Sequence, residues 1–304
     1  MTRKDFSQSR NDNIAFESFI MKLYAISDLH IDHKINYQAL RTLPAFSEDW
    51  LIIAGDTCTT AEHLGTALSY LTQRFAQVLW VPGNHDLWSG VAGITKQGEE
   101  KYHQLVSVCR DFDVLTPEDP YPLWQGDGGE HILAPLFTLY DYSFRPPNVS
   151  LDSAVAWAAE TGVVCTDEYY LKPTPYSSRQ AWCQARCEYS EQRLRQIPSN
   201  IPMVLINHYP LRQELVRLTK IPRFSIWCGT QRTDDWHRRF NVSVVVTGHL
   251  HIRATDYREG VRFEEVSLGY PRNWNQSKGI QAYLRQILPA PKIPADETGP
   301  FWHF

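Results

Sequence analysis

The sequence predicts an α/β protein, and three observations carry that prediction. Short aliphatic runs recur along the chain, amphipathic stretches of helical period separate them, and a cluster of polar residues closes each run. The runs at 23–26, 51–54 and 78–81 read as strands ended by Ser, Gly and Pro. Leu64, Ala67, Leu68, Leu71 and Phe75 share one helical face after the second run, and Tyr102, Leu105, Val106 and Cys109 share another after the third. A βαβαβ order of this kind calls for a parallel sheet covered by helices. Residues 114–176 are dense in Pro, Gly and aromatics, with a short helix expected at about 151–160. A longer helix opens near Ser178 and stops before Pro198, with Trp182, Ala185 and Tyr189 at inward spacing. Residues 114–200 are therefore read as an aromatic- and Pro-rich insertion. Strands follow at 204–206 and 242–246, with a strand pair expected around 261–266. The division expected is a polar extension over 1–20, one domain over 21–288 and a Pro-rich tail over 289–304, whose aromatic end FWHF is suited to docking.

Composition narrows the function classes. With 304 residues, 43% hydrophobic and 21% charged, the chain is of ordinary globular make-up, which excludes collagen-like, coiled-coil and wholly disordered readings. The formal charge of −4 gives no basic footprint for neutralising a nucleic-acid backbone, so no nucleic-acid partner is expected. No apolar run approaches the roughly 18–20 residues that cross a bilayer, and the start lacks the apolar core of a signal peptide. A cytoplasmic protein without a membrane partner is expected. The six cysteines form no CxxC pair and are read as free thiols.

The polar residues at the strand ends point to the chemistry. Asp28 and His30 follow the first run, Gly55 and Asp56 the second, and Gly83, Asn84, His85 and Asp86 the third. Asn207 and His208 follow the fourth, and Gly248, His249 and His251 the fifth. The carboxyl ends of parallel strands lie along one edge, where open α/β folds place ligands, so these distant residues converge. Gathered carboxylates and imidazoles cost several kcal/mol to bury unless a cation neutralises them. Two Asp, one Asn and four His make a mixed oxygen and nitrogen set without thiolate. Such a set suits Mn, Fe, Zn, Co or Ni better than Ca or Mg. Seven donors are too many for one ion with open positions. Two divalent ions sharing a carboxylate at roughly 3.5–4 Å are the natural arrangement, with Mn or Fe favoured, and such pairs serve phosphoryl chemistry.

The blocks DLH, GD, GNHD, NH and GHLH, in that order over residues 28–251, resemble the signature of the calcineurin-like metallophosphoesterases. The spacing agrees, with 24 residues between His30 and Gly55 and 26 between Asp56 and Gly83. The resemblance implies a four-layer αββα sandwich of two mixed β-sheets. It also implies that Asp28, His30 and His251 bind one metal, that Asn84, His208 and His249 bind the other, and that Asp56 bridges them. His85 is then the group that contacts the phosphoryl oxygen or protonates the leaving oxygen, with Asp86 orienting it. Two subclasses fit poorly: Thr59 stands where purple acid phosphatases carry Tyr, and GDTCTT with GNHD replaces the phosphoprotein phosphatase pattern. Expected substrate contacts are Arg145, Arg212 and Arg272 for an anionic group and Trp88 and Tyr142 for a flat one. The activity expected is hydrolysis of a phosphomonoester or phosphodiester in a small phosphorylated molecule, nucleotides included. A Mre11-like nuclease and a non-catalytic protein-binding scaffold are the alternatives.

Overall fold

Alternate residues of a strand face opposite ways, and this period sorts the core into layers. The computed structural model describes residues 21–90, 93–291 and 299–303. In the first half, β1 (Leu23–Ile26), β2 (Phe46–Ile53) and β3 (Phe75–Trp80) alternate with the helices α1 (Lys34–Arg41), α2 (Ala61–Leu71), α3 (Asn84–Leu87) and α4 (Gly98–Asp111). Next come β4 (Leu123–Trp124), β5 (His131–Pro135), α5 (Ala154–Ala159), α6 (Asp167–Tyr170), α7 (Arg179–Leu194) and β6 (Met203–Ile206). The chain continues through α8 (Trp236–Arg239), β7 (Val242–Thr247), β8 (Ala254–Arg258), β9 (Val261–Glu265), β10 (Arg285–Leu288) and β11 (Phe301–Trp302).

One sheet has the order β10-β1-β2-β3, parallel from β1 to β3 with β10 antiparallel at its edge. The other has the order β11-β8-β9-β7-β6-β5-β4, parallel through β5, β6, β7 and β9. Leu23, Ala25, Ile52, Ala54, Leu79 and Val81 meet Leu133, Val204, Ile206, Val244 and Val246 in an apolar layer between the sheets. Ile26, Leu51, Ile53, Val78 and Trp80 face the other way, toward Leu64, Leu68, Tyr102, Leu105 and Cys109 of α2 and α4. The four-layer αββα arrangement with two mixed sheets is thus present. No helix among the described residues is long and apolar enough to cross a membrane.

Several boundaries differ from expectation for identifiable reasons. Phe75 is the first residue of β3 rather than the last on the face of α2, and it stacks on Phe46 of β2 at 5.2 Å. The stretch read as an insertion supplies β4 and β5, and β5 pairs in parallel with β6. In α7, opened by a Ser178 side chain that accepts from Ala181 N, the buried face is Trp182, Cys183, Arg186, Cys187, Ser190 and Leu194. Ala185 and Tyr189 are only half-buried. The expected pair at 261–266 is β9 joined to an earlier strand, β8. Phe301 and Trp302 of the tail do dock, antiparallel to β8, whereas residues 1–20 and Phe304 lie outside the described residues.

Candidate metal centre

The two sheets are stitched together at the ends where their parallel strands finish. Ser27 bridges to Ser267, Leu268 N donates to Ser27 O at 2.8 Å and Gly269 N to Asp28 O at 3.0 Å. The turns that leave these strands are tight. Asp28, His30, Asp56, His249 and His251 all have positive φ, between 41° and 74°. Non-glycine residues rarely adopt that region, and clusters of them mark functional sites. Close approach also fixes the glycines: a Cβ at Gly55, itself at φ +91°, would lie 2.5 Å from His208 Nδ1, and one at Gly83 would lie 2.2 Å from Asp56 Oδ1.

All seven sequence-predicted ligands come together. Asp28, His30 and His251 form one group of donor atoms mutually within 4.8 Å, and Asp56, His208 and His249 form another. Asn84 Oδ1 joins the second group, 3.2 Å from both His208 Nε2 and His249 Nδ1. Asp56 Oδ2 lies between the groups, 3.9 Å from His30 Nε2 and 3.6 Å from His208 Nε2. Asp28 Oδ2 accepts from Ser27 Oγ, Ser267 Oγ and His249 N, which turns its Oδ1 toward His251 Nε2 at 2.9 Å.

These residues fit a pair of cations. His208 Nδ1 donates to Ala54 O at 2.9 Å, so Nε2 keeps a lone pair aimed inward. Burial holds His30, His208 and His249 below the usual imidazole range, in the neutral form that ligates. Yet His249 Nδ1 faces His208 Nε2 at 3.2 Å, and His30 Nε2 faces His251 Nε2 at 3.4 Å. Where ligation turns a lone pair inward on both nitrogens of such a pair, the two repel unless positive charge lies between them. Asp56 tells the same story: burial, then the charges of Asp28 and Asp86, push it well above its ordinary range. A cation relieves both repulsions.

His85 stands beside this group. Its backbone N donates to Asp56 Oδ1 at 2.8 Å, its ring stacks on Trp88 at 3.7 Å, and its Nε2 lies 3.2 Å from the Tyr270 hydroxyl. Tyr270 in turn stacks on His30 at 4.4 Å. Asp86 does not orient the His85 ring as expected. Its carboxylate accepts from the backbone N of Asp56, Thr57, Cys58 and Gly83, holding the loop that carries Asp56 against the turn that carries Asn84. Buried Lys101, which in the sequence shows only as one lysine on an amphipathic helix, ties that loop to Trp88 by donating to Thr59 O and Trp88 O.

The expected substrate residues divide. Trp88 and Arg272 border the centre; Arg272 is exposed, lies 5.3 Å from the Tyr270 ring, and lines a cavity of about 380 Å³ with His33, Tyr270 and Pro271. Arg145 donates to Val149 O and Tyr142 O, and Arg212 pairs with His237 and Glu214, so both clamp loops. Tyr142 is 4% exposed, with its hydroxyl donating to Glu168, and offers no face for stacking a ligand.

Comparison with known proteins agrees with this geometry. A family model described as calcineurin-like phosphoesterase matches residues 21–253. The acyl-carrier-protein phosphodiesterase PptH of Mycobacterium tuberculosis is 45% identical over 273 residues, covering 89% of this chain and 84% of that protein. The crystal structure of phosphopantetheinyl hydrolase (PptH) from Mycobacterium tuberculosis superposes with a TM-score of 0.86 at 45% identity, covering 91% of this chain and 99% of that one.

Proposed function

The chain belongs to the calcineurin-like phosphoesterase family, and on that premise we propose that it cleaves the phosphodiester joining a phosphopantetheinyl group to an acyl carrier protein. It is a metal-dependent hydrolase of phosphoric ester bonds, which sets aside the scaffold alternative. The substrate proposed revises the expectation of a small free molecule: the bond belongs to a small group, but a protein carries it. One observation carries the reading. The seven-donor group around Asp56 is whole in a chain 45% identical to an enzyme with that activity.

In the mechanism proposed, Asp28, His30 and His251 hold one divalent ion, Asn84, His208 and His249 hold the other, and Asp56 serves both. Mn or Fe is the favoured choice among Mn, Fe, Zn, Co and Ni. Bound there, the pair supplies Lewis acidity and a nucleophile available near neutral pH. The chain's own residues do the rest. Ser27, Ser267 and the His249 amide fix the Asp28 carboxylate, and Asp86 holds the loop of Asp56 in place. His85 Nε2 and the Tyr270 hydroxyl, side by side at the rim, hold the phosphoryl group, and a proton passes from His85 Nε2 to the departing oxygen. Arg272, above Tyr270, receives an anionic group next to the scissile bond.

Incubating the Mn- or Fe-loaded protein with phosphopantetheinylated carrier protein and reading the intact mass of the carrier tests this. Conversion to the unmodified carrier is expected. Hydrolysis of bis-p-nitrophenyl phosphate with the carrier left intact would overturn the substrate while leaving the reaction class.

A further inference from the structure

An asparagine ligand has an ambiguity that a carboxylate lacks, because its side chain offers an oxygen on one side and an NH₂ on the other. Only the oxygen can ligate, so something must fix which way the amide of Asn84 faces. Its Nδ2 donates to Asp167 Oδ1 at 3.0 Å, which turns Oδ1 toward His208 and His249. The reversed amide would set an oxygen against the carboxylate and an NH₂ toward the cation site. The same Asp167 oxygen accepts from Trp88 Nε1 at 2.6 Å, and the Trp88 ring is the surface on which His85 stacks. Asp167 is fully buried, at the first residue of α6, and Arg179 pins that segment by donating to the backbone oxygens of Asp167 and Glu168.

We propose that Asp167 is a positioning residue of the reaction, in which one carboxylate oxygen aims the Asn84 amide at the second cation and seats Trp88 beneath His85. The inference rests on the metal ligands proposed above. Losing such an outer partner typically weakens a metal about 10–100-fold. A charged acceptor also bonds roughly twice as strongly as a neutral one, so Asp167→Asn should lie between wild type and Asp167→Leu.

The test strips the purified full chain of metal and titrates Mn back, reading ions per chain by elemental analysis and each affinity by calorimetry. Wild type is expected to take two ions. Asp167→Leu should bind the first normally and the second about 10–100-fold more weakly, and Asp167→Asn should show the same selective deficit, but smaller. Trp88→Phe, which keeps an aromatic ring but removes the N–H, should take both ions at wild-type affinity while kcat falls and KM holds. Wild-type affinities in the Asp167 variants, or equal weakening of both ions, would overturn the proposal, and unchanged kcat in Trp88→Phe would overturn its second arm. Should Asp167→Leu not fold, Asp167→Asn decides by the same criterion. If no carrier protein is cleaved but the ion counts follow this pattern, the proposed substrate fails and this inference stands. If cleavage proceeds and the affinities are flat, only this inference fails.

Discussion

The strand-end loops and the 114–200 segment both bury charge, but they satisfy it differently. Around Arg186 and Glu168 of the segment the groups satisfy one another. Arg186, 7% exposed, donates to Glu118 Oε1 at 2.6 Å, Tyr102 donates to the same oxygen at 2.7 Å, and the guanidinium lies 4.6–5.2 Å from the rings of Tyr102, Phe137 and Tyr189. Arg179 and Tyr142 close on Glu168 in the same way. In the loops, by contrast, imidazole nitrogens face one another at 3.2–3.4 Å around a carboxylate that burial and two neighbouring charges push toward its neutral form. A closed network is structural, whereas an unclosed one at a sheet edge is a place for a ligand. That difference, rather than burial or charge alone, separates the two regions.

Six substitutions sharpen or break the comparison. Asp56→Asn should have the largest effect, removing the donor shared by both groups; metal content and turnover should fall together, the latter by about 10³-fold or more, the scale set by losing a metal-generated nucleophile. His85→Ala should lower kcat by about 10²–10⁴ while both ions stay, so equal metal loss in the two variants would contradict the separate roles. Arg186→Met should leave metal content untouched and cost about 1.5–3 kcal/mol, because half-buried Glu118 loses a charged hydrogen-bond partner and keeps the Tyr102 hydroxyl, and denaturant unfolding reads this. Arg272→Ala should raise KM, whereas Arg145→Ala and Arg212→Ala should leave KM unchanged in enzyme that folds.

The Arg186 network also carries a pH signature. Burial pushes Glu118 up, but Arg186 and the Tyr102 hydroxyl bring it below its ordinary 4.5. A depressed carboxyl contributes its full stabilisation above the unfolded value and loses it as pH falls through the folded one. Wild type should therefore lose stability as pH drops below about 4.5, and Arg186→Met should show less of that slope in acid-unfolding curves.

How much was legible in the sequence follows from the same contrast. The seven donors could be placed because Asp, Asn and His at the ends of aliphatic runs have a chemistry that position alone reveals. The first three strands were legible because their ends are aliphatic, although the polar opening of β2 at Ser47, Glu48 and Asp49 hid its first half. The inward face of α7 was misread because an apolar period cannot see a buried Arg186 whose partner lies 68 residues away. Asp86 could not be separated from a group that orients His85, since adjacency in sequence says nothing about four backbone N–H donors from neighbouring loops. Arg145, Arg212 and Arg272 look alike as letters; what distinguishes them is which carbonyls and carboxylates already occupy the first two. Asp167, in a stretch read only as aromatic-rich, had no pattern to give it away.

On the metal assignment proposed, two neighbouring ions close the network around Asp56. Anomalous scattering from crystals of the Mn-reconstituted protein tests it most directly. Two peaks are predicted on either side of Asp56, one among Asp28, His30 and His251 and the other among Asn84, His208 and His249. A single peak in an enzyme at full activity, or two peaks with Asp56 touching neither, would contradict it.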